Sequence, residues 1–289
     1  MKFLFSLALS VACLHNIGLP LALAQTDTPA PATPQPAIPL PLLQAAPLVQ
    51  ATSRLLGQQN YQIESEIELS TVVPDSLLSA QAQIETVIAA PNKVSTRITF
   101  FNQERALEQQ YQIVGNGTQV WIYDRQENQY SVSEYPQFLE STDSLSVGIL
   151  ANFYLQTLNT VNNNRIASRA VAKLPPDRLV SYFQRFANVD LQNMVIRNEQ
   201  IEGQTYAVYD IDAVDRSYEV TAYVSPQLAN IERADLVGQL DGIEILMLEQ
   251  IISQTIPTAI APETFNFVPP EDAEQVESPI KINPFSGEL

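Results

Sequence analysis

GNGTQVWIYDRQENQY, Gly115–Tyr130, is the stretch whose reading decides the fold. Gly117 lacks a Cβ and Asn116 tolerates the left-handed region, so Asn116-Gly117 reads as a two-residue hairpin turn with positive φ angles. The following TQVWIYD alternates, with Trp121 and Tyr123 on one face and Val120 and Ile122 on the other. A polar turn and a second strand complete the unit. Two apolar faces imply a strand covered on both sides, or one that lines a hollow.

Working outward, the same periodicity recurs on both sides. In YQIESEIELS, Tyr61, Ile63, Ile67 and Leu69 point one way while Gln62, Glu64, Glu66 and Glu68 point the other. Strands are expected at Ser79–Ala90, Lys93–Asn102, Leu107–Gly115, Thr118–Asp124 and Gln129–Tyr135, with hairpin-scale connections between them. A second series covers Leu191–Asn198, Gln204–Ala213, Ser217–Ser225, Ile231–Leu240 and Ile243–Ile256, with turns at Glu202-Gly203 and Asp241-Gly242. TFNFVPPEDAEQVES, from Thr264, reads as a terminal strand and a Pro/Glu-rich exit. The sum is about eleven antiparallel strands. A sheet that wide curls or closes, because strand twist accumulates.

Three segments break the pattern. Leu48, Val49, Leu55 and Leu56 recur at near-helical spacing before Gly57, which predicts a short amphipathic helix ahead of the sheet. Between the two strand series, Leu145–Val161 has helical spacing and an unusually broad apolar surface. A second inserted helix is expected from Pro175 through Phe186, proline being acceptable in a first turn. The fold class is therefore mainly β: a half-open antiparallel barrel with an N-terminal helix and two helices inserted midway as a lid.

The ends of the chain narrow the chemistry. Residues 1–24 have a basic start, an apolar run and small residues at Ala22 and Ala24, as a cleavable secretory signal does. Lipid attachment at Cys13 is the lesser alternative, since Ser10 stands where a large aliphatic residue is preferred. Residues 25–47 are a Pro/Ala-rich linker, 48–277 the folded domain and 278–289 a tail. Cleavage removes Cys13 and His15, which are the chain's one cysteine and one histidine. That excludes disulfides, Cys/His zinc sites and Ser-His or Cys-His nucleophile pairs from the mature chain.

Cleavage leaves 14 basic residues against 32 acidic ones, a balance of −18 that repels nucleic acid and anionic membrane. Glu64, Glu66 and Glu68, and likewise Asp210, Asp212 and Asp215, read as solvated strand acids rather than cation ligands. No carboxylate pair has a distinctive catalytic spacing. The expectation is a monomeric, non-enzymatic binding protein with no cofactor, no metal and no stable membrane insertion.

The order of elements, with VGNGTQVWIYDRQENQYSVSEY at 114–135 and ETFNFVPPEDAEQVE at 263–277, resembles the outer-membrane lipoprotein carrier family, LolA and its relatives. The second segment carries the family's closing Phe-x-Phe-x-x-Pro pattern as Phe265, Phe267, Pro269 and Pro270. The resemblance implies a periplasmic carrier for an acylated lipoprotein or a lipid, served by an inner-membrane transporter or an outer-membrane acceptor. The chain departs from the family where an arginine before a proline pins the lid helix. The matching place here is Ala90-Pro91, and Arg97 on the next strand is the candidate substitute.

Cavity and lid roles are accordingly expected for Phe100, Trp121, Tyr123, Ile149, Phe153, Tyr154, Phe183 and Phe186. An envelope stress sensor or regulatory protein-binding module on the same fold is the alternative, because fold does not fix function.

Overall fold

The computed structural model describes residues 44–73, 76–90, 92–101, 106–160, 194–212, 218–240 and 243–282. The helix expected over 175–186, with Phe183 and Phe186, lies outside the described residues, as do Asp215 and the Asp241-Gly242 turn.

Two antiparallel meanders share one sheet. The first runs through β1 (Asn60–Val73), β2 (Ser76–Ala89), β3 (Lys93–Phe101), β4 (Leu107–Asn116), β5 (Gln119–Asp124) and β6 (Gln129–Glu134). The second comprises β7 (Val195–Ile201), β8 (Gln204–Asp212), β9 (Tyr218–Ser225), β10 (Asn230–Leu240) and β11 (Ile243–Thr255). They join where β11 pairs with β1, and β12 (Glu274–Gln275) is added in parallel to the far side of β6. The order is β12-β6-β5-β4-β3-β2-β1-β11-β10-β9-β8-β7, so the sheet has two ends and is not a closed ring. Bulges at Glu64/Ser65, Phe100/Phe101 and Ile231/Arg233 sharpen its bend.

Period-2 alternation gives the sheet an inner and an outer face. Ile63, Ile67, Ile84, Ile88, Ile98 and Ile113 face inward and are at most 3% exposed. Helix α1 (Ala46–Leu56) packs against β9 and β10 on that side, ending at Gly57 as its sequence implies. After β6 comes a helix not expected from the strand pattern: α2 (Tyr135–Glu140), with Pro136 in its first turn. Gly115 makes room for Val94 of β3, 2.9 Å from where a Cβ would lie, while the Tyr135 ring at 3.5 Å is in ordinary contact. A 3₁₀ segment, Thr142–Val147, follows, and only after Gly148 does α3 (Ile149–Thr160) begin. The helix expected from Leu145 thus starts four residues later. Gly148 has φ of 99°, which an L side chain rarely adopts, and it breaks the run.

The C-terminal segment is not the strand expected from Thr264. A 3₁₀ turn, Pro262–Phe265, sits on β3 and β4, and the chain then crosses the outer face to the β6 edge. Two prolines, Pro269 and Pro270, remove the donors a strand would need. Among the described residues its strand is the two-residue β12, held by Glu274 N to Asn128 O at 3.0 Å and Val276 N to Tyr130 O at 2.9 Å. Beyond that edge, Ile280 and Ile282 return to the inner side and join its apolar cluster.

Candidate functional site: a helix latched over an aliphatic wall

The inner wall is mostly apolar, with a polar patch under Gly148. There Thr86, Thr96, Ser65 and Glu249 are each at most 1% exposed. Thr86 Oγ1 lies 3.0 Å from Thr96 Oγ1 and donates to Val147 O at 2.9 Å. Glu249 Oε2 accepts from Leu150 N at 3.0 Å. The turn into α3 is therefore held on both sides of Gly148 by side chains rooted in the sheet.

Glu249 is the unusual member. It stands on β11 opposite Ile67 of β1 and Ala234 of β10, in the inward series Ile245, Met247, Glu249, Ile251. A carboxylate at the first turn of a helix complements its unpaired N–H groups and its dipole. Here it does so with no exposure to solvent. Burial pushes its carboxyl above the usual range, while the Leu150 N–H, the Ser65 hydroxyl and the Ile149 N–H act in the opposite direction. Satisfaction is incomplete: neither Glu249 Oε1 nor Ser65 Oγ makes a hydrogen bond of good geometry. A Cβ on residue 148 would lie 2.5 Å from Glu249 Oε1, so the close approach needs glycine.

Helix α3 buries Ile149, Leu150, Ala151, Tyr154, Leu155 and Leu158. Tyr154 Oη donates to Gln58 O at 2.7 Å, and its ring lies 6.0 Å from that of Tyr61. Burial raises the hydroxyl pKa of both tyrosines, and Glu249 adds to the effect on Tyr61. Asn152 and Gln156 bond back to Ser144 O and Leu139 O, so α2, the 3₁₀ segment and α3 form one cover.

A cavity of about 50 Å³ remains between wall and cover, lined by Ile67, Ile84, Phe100, Leu145, Met247 and Ile282 among others. A second, of about 40 Å³, lies beside Arg54, Tyr61 and Leu150. Small-molecule sites span roughly 300–1,000 Å³. Neither of these two cavities reaches that size, so among the described residues α3 lies close against the wall. Among the described residues, no three His, Cys, Asp or Glu side chains converge as metal ligands would. No helix among them is long and apolar enough to cross a membrane.

The residues singled out from sequence divide between two faces. Phe100 lies on the inner wall, edge-on to Tyr111 at 6.1 Å, while Ile149, Phe153 and Tyr154 lie in the cover. Trp121 and Tyr123 do not line the hollow. They point outward, with Phe267 stacked on Trp121 at 6.2 Å and tilted against Tyr123 at 6.0 Å. Val120 and Ile122 are the inward pair. Two apolar faces meant a strand covered on both sides, the outer cover being the C-terminal segment. Arg97 also faces outward, paired with Glu85 at 3.0 Å. The pinning group is Glu249, which sequence reasoning missed. Its signal was a single glutamate on the apolar parity of IEILMLEQIIS.

No protein-family model matches the chain, and no curated protein matches its sequence. Solved structures do match in fold. A LolA superfamily protein from Nitrosomonas europaea is 12% identical, at a TM-score of 0.30 over 76% of this chain and 97% of its own. LprF from Mycobacterium bovis is 11% identical, at 0.36 over 75% of this chain and 97% of its own. MucB of Pseudomonas aeruginosa, solved with MucA, is 13% identical, at 0.32 over 78% of this chain and 61% of its own. The likeness is one of fold, at a distance. The ligand has to be argued from the wall and its cover.

Proposed function

We propose that the chain is a carrier that takes acyl chains of a lipid or lipoprotein between its aliphatic inner wall and α3, once that helix lifts. One observation carries the reading. The broadly apolar α3 is fastened to a wall of isoleucines through a glycine break and a single, incompletely satisfied buried carboxylate. A cover meant only to fill a core has no need of a buried polar seam.

The energetics suit reversible binding. Each buried methylene contributes about 0.8 kcal/mol, so a ten-carbon stretch supplies about 8 kcal/mol, the equivalent of micromolar affinity. Lifting α3 subtracts from that figure, and release is the reverse motion. Phe100, Ile149, Phe153 and Tyr154 are the proposed contacts. The protein would act in the periplasm after loss of residues 1–24, loaded by a transporter or unloaded to an outer-membrane acceptor.

Native mass spectrometry of the mature protein from its own envelope tests this. Co-purifying lipid or acylated protein supports the carrier. A clean apo mass, with no uptake of added lipid or lipoprotein, sinks it. Phe153→Glu should abolish uptake while leaving the strand signal in circular dichroism intact.

A further inference from the structure

The C-terminal segment wraps around one end of the sheet, and its two halves differ in how firmly they are held. On the outer face Phe265 is buried, beneath the ammonium of Lys93 at 5.8 Å, and Phe267 sits among Trp121, Tyr123 and Tyr130. Past β12, Glu277, Ser278, Pro279 and Lys281 are exposed, and beside the packing of Ile280 and Ile282 three polar contacts hold the segment. Ile280 N donates to Ser131 Oγ at 2.9 Å, and Ile282 N donates to Asp143 Oδ1 at 3.1 Å. Lys281 Nζ lies 3.6 Å from Asp143 Oδ2.

Ile282 is 8% exposed, and its side chain forms part of the lining of the 50 Å³ cavity, together with Leu145 and Asp143 of the 3₁₀ segment. An aliphatic group, delivered by an extended backbone across the sheet edge, fills space that would otherwise open onto the isoleucine wall. It touches the wall and the cover at once. It is tied to the cover through Asp143, in the first turn of the segment leading to Gly148.

We propose that residues Glu277–Ile282 are a built-in occupant of the mouth of the inner cavity. An incoming acyl chain displaces Ile282, and displacement also frees Asp143 and loosens the 3₁₀ segment before α3. This rests on the acyl-binding reading of the same site, and it names that site's competitor. The competitor is suited to exchange: a short aliphatic side chain, backbone bonds to side-chain oxygens rather than to a strand, and one ion pair whose lysine is exposed. The outer anchor at Phe265 and Phe267 keeps the displaced tail attached, so it can return when cargo leaves.

The test uses the full chain with Cys13→Ser and Leu145→Cys as the parent, so that the one thiol lines the cavity. Ile282→Asp in this background sets a second carboxylate beside Asp143 and should expel the tail. Val268→Asp, at an exposed position on the same segment, is the control for added charge. Thiol labelling of the Ile282→Asp variant should be about tenfold faster than the parent's, with the control unchanged. The polyene fatty acid cis-parinaric acid should bind the same variant about fivefold more tightly, since less competing occupant remains. Equal labelling rates in all three proteins overturn the proposal whatever the fatty acid does. Faster labelling with no parinarate uptake in any variant instead overturns the acyl reading and leaves the tail as the cavity's cover.

Discussion

Glu249 is where the chemistry of single residues bears most on the proposed motion. Its neighbours make the sign of its pH dependence definite. The titratable group that acts on it is Tyr61 on β1, itself beside Tyr154 on α3 and Arg54 on α1, and burial keeps both tyrosines neutral across the range of interest. The docked state raises the Glu249 pKa above its ordinary value of 4.5. Stabilisation from the protonated carboxyl is then fully present below about pH 4.5 and is lost as pH rises through the docked-state value. Within that window each pH unit moves stability by up to about 1.4 kcal/mol. Glu249→Gln keeps an oxygen acceptor for Leu150 N and cannot ionise. Its Tm should match the wild type's near pH 4 and exceed it increasingly toward pH 8. A difference independent of pH would show that Glu249 is not the titrating latch. Gly148→Ala should act in the opposite sense, costing about 1–3 kcal/mol in chemical denaturation because it combines positive φ with a clash against the same carboxylate.

At the scale of elements, the cover and the sheet should behave as separate cooperative units. α3 reaches the sheet through Thr86 and Glu249 at its start and Tyr154 on its first turns, whereas β1 alone makes ten backbone pairings with β11 and fourteen with β2. Local opening free energies run from near zero up to the global value. Hydrogen exchange should therefore be faster over Thr142–Leu158 than over the inner strands. Thr86→Val, which orphans Val147 O, should raise exchange in the cover alone, at a cost of about 1–2 kcal/mol. Equal acceleration in β1–β3 would mean that cover and sheet open together. The same scale shows what could be read from sequence. Alternation in strands such as YQIESEIELS fixed which residues face inward, because only one face is apolar. In TQVWIYD both faces are apolar, and the choice depends on Phe267, more than a hundred residues away. α2 escaped notice because YPQFLE is too short to display a helical period, leaving Pro136 as its one signal. Thr86 and Ser65 are ordinary strand residues by pattern, and only the arrival of Gly148 makes them part of a site.

Taken whole, the described residues are two meanders joined at β1 and β11, with residues 262–282 drawn back across the outer face to the β6 edge. That path puts the inner wall and Trp121 on opposite sides of one sheet, which has a direct experimental consequence. Trp121 is the only tryptophan in the chain, so its emission reports the outer face alone. Cargo entering beside Phe100 and Phe153 should leave the emission maximum where it is, because the sheet stands between them. Phe267→Ala removes the ring stacked on Trp121 and should shift the emission to longer wavelength. It should also cost about 1–3 kcal/mol, less than a fully buried phenylalanine because Phe267 is partly exposed. Acyl binding should survive that substitution, since the inner wall is untouched and Ile282 still reaches it from the β6 edge. A large spectral shift on lipid uptake, in a protein whose Phe267 is intact, would instead bring cargo to the outer face and return Trp121 and Tyr123 to the binding site.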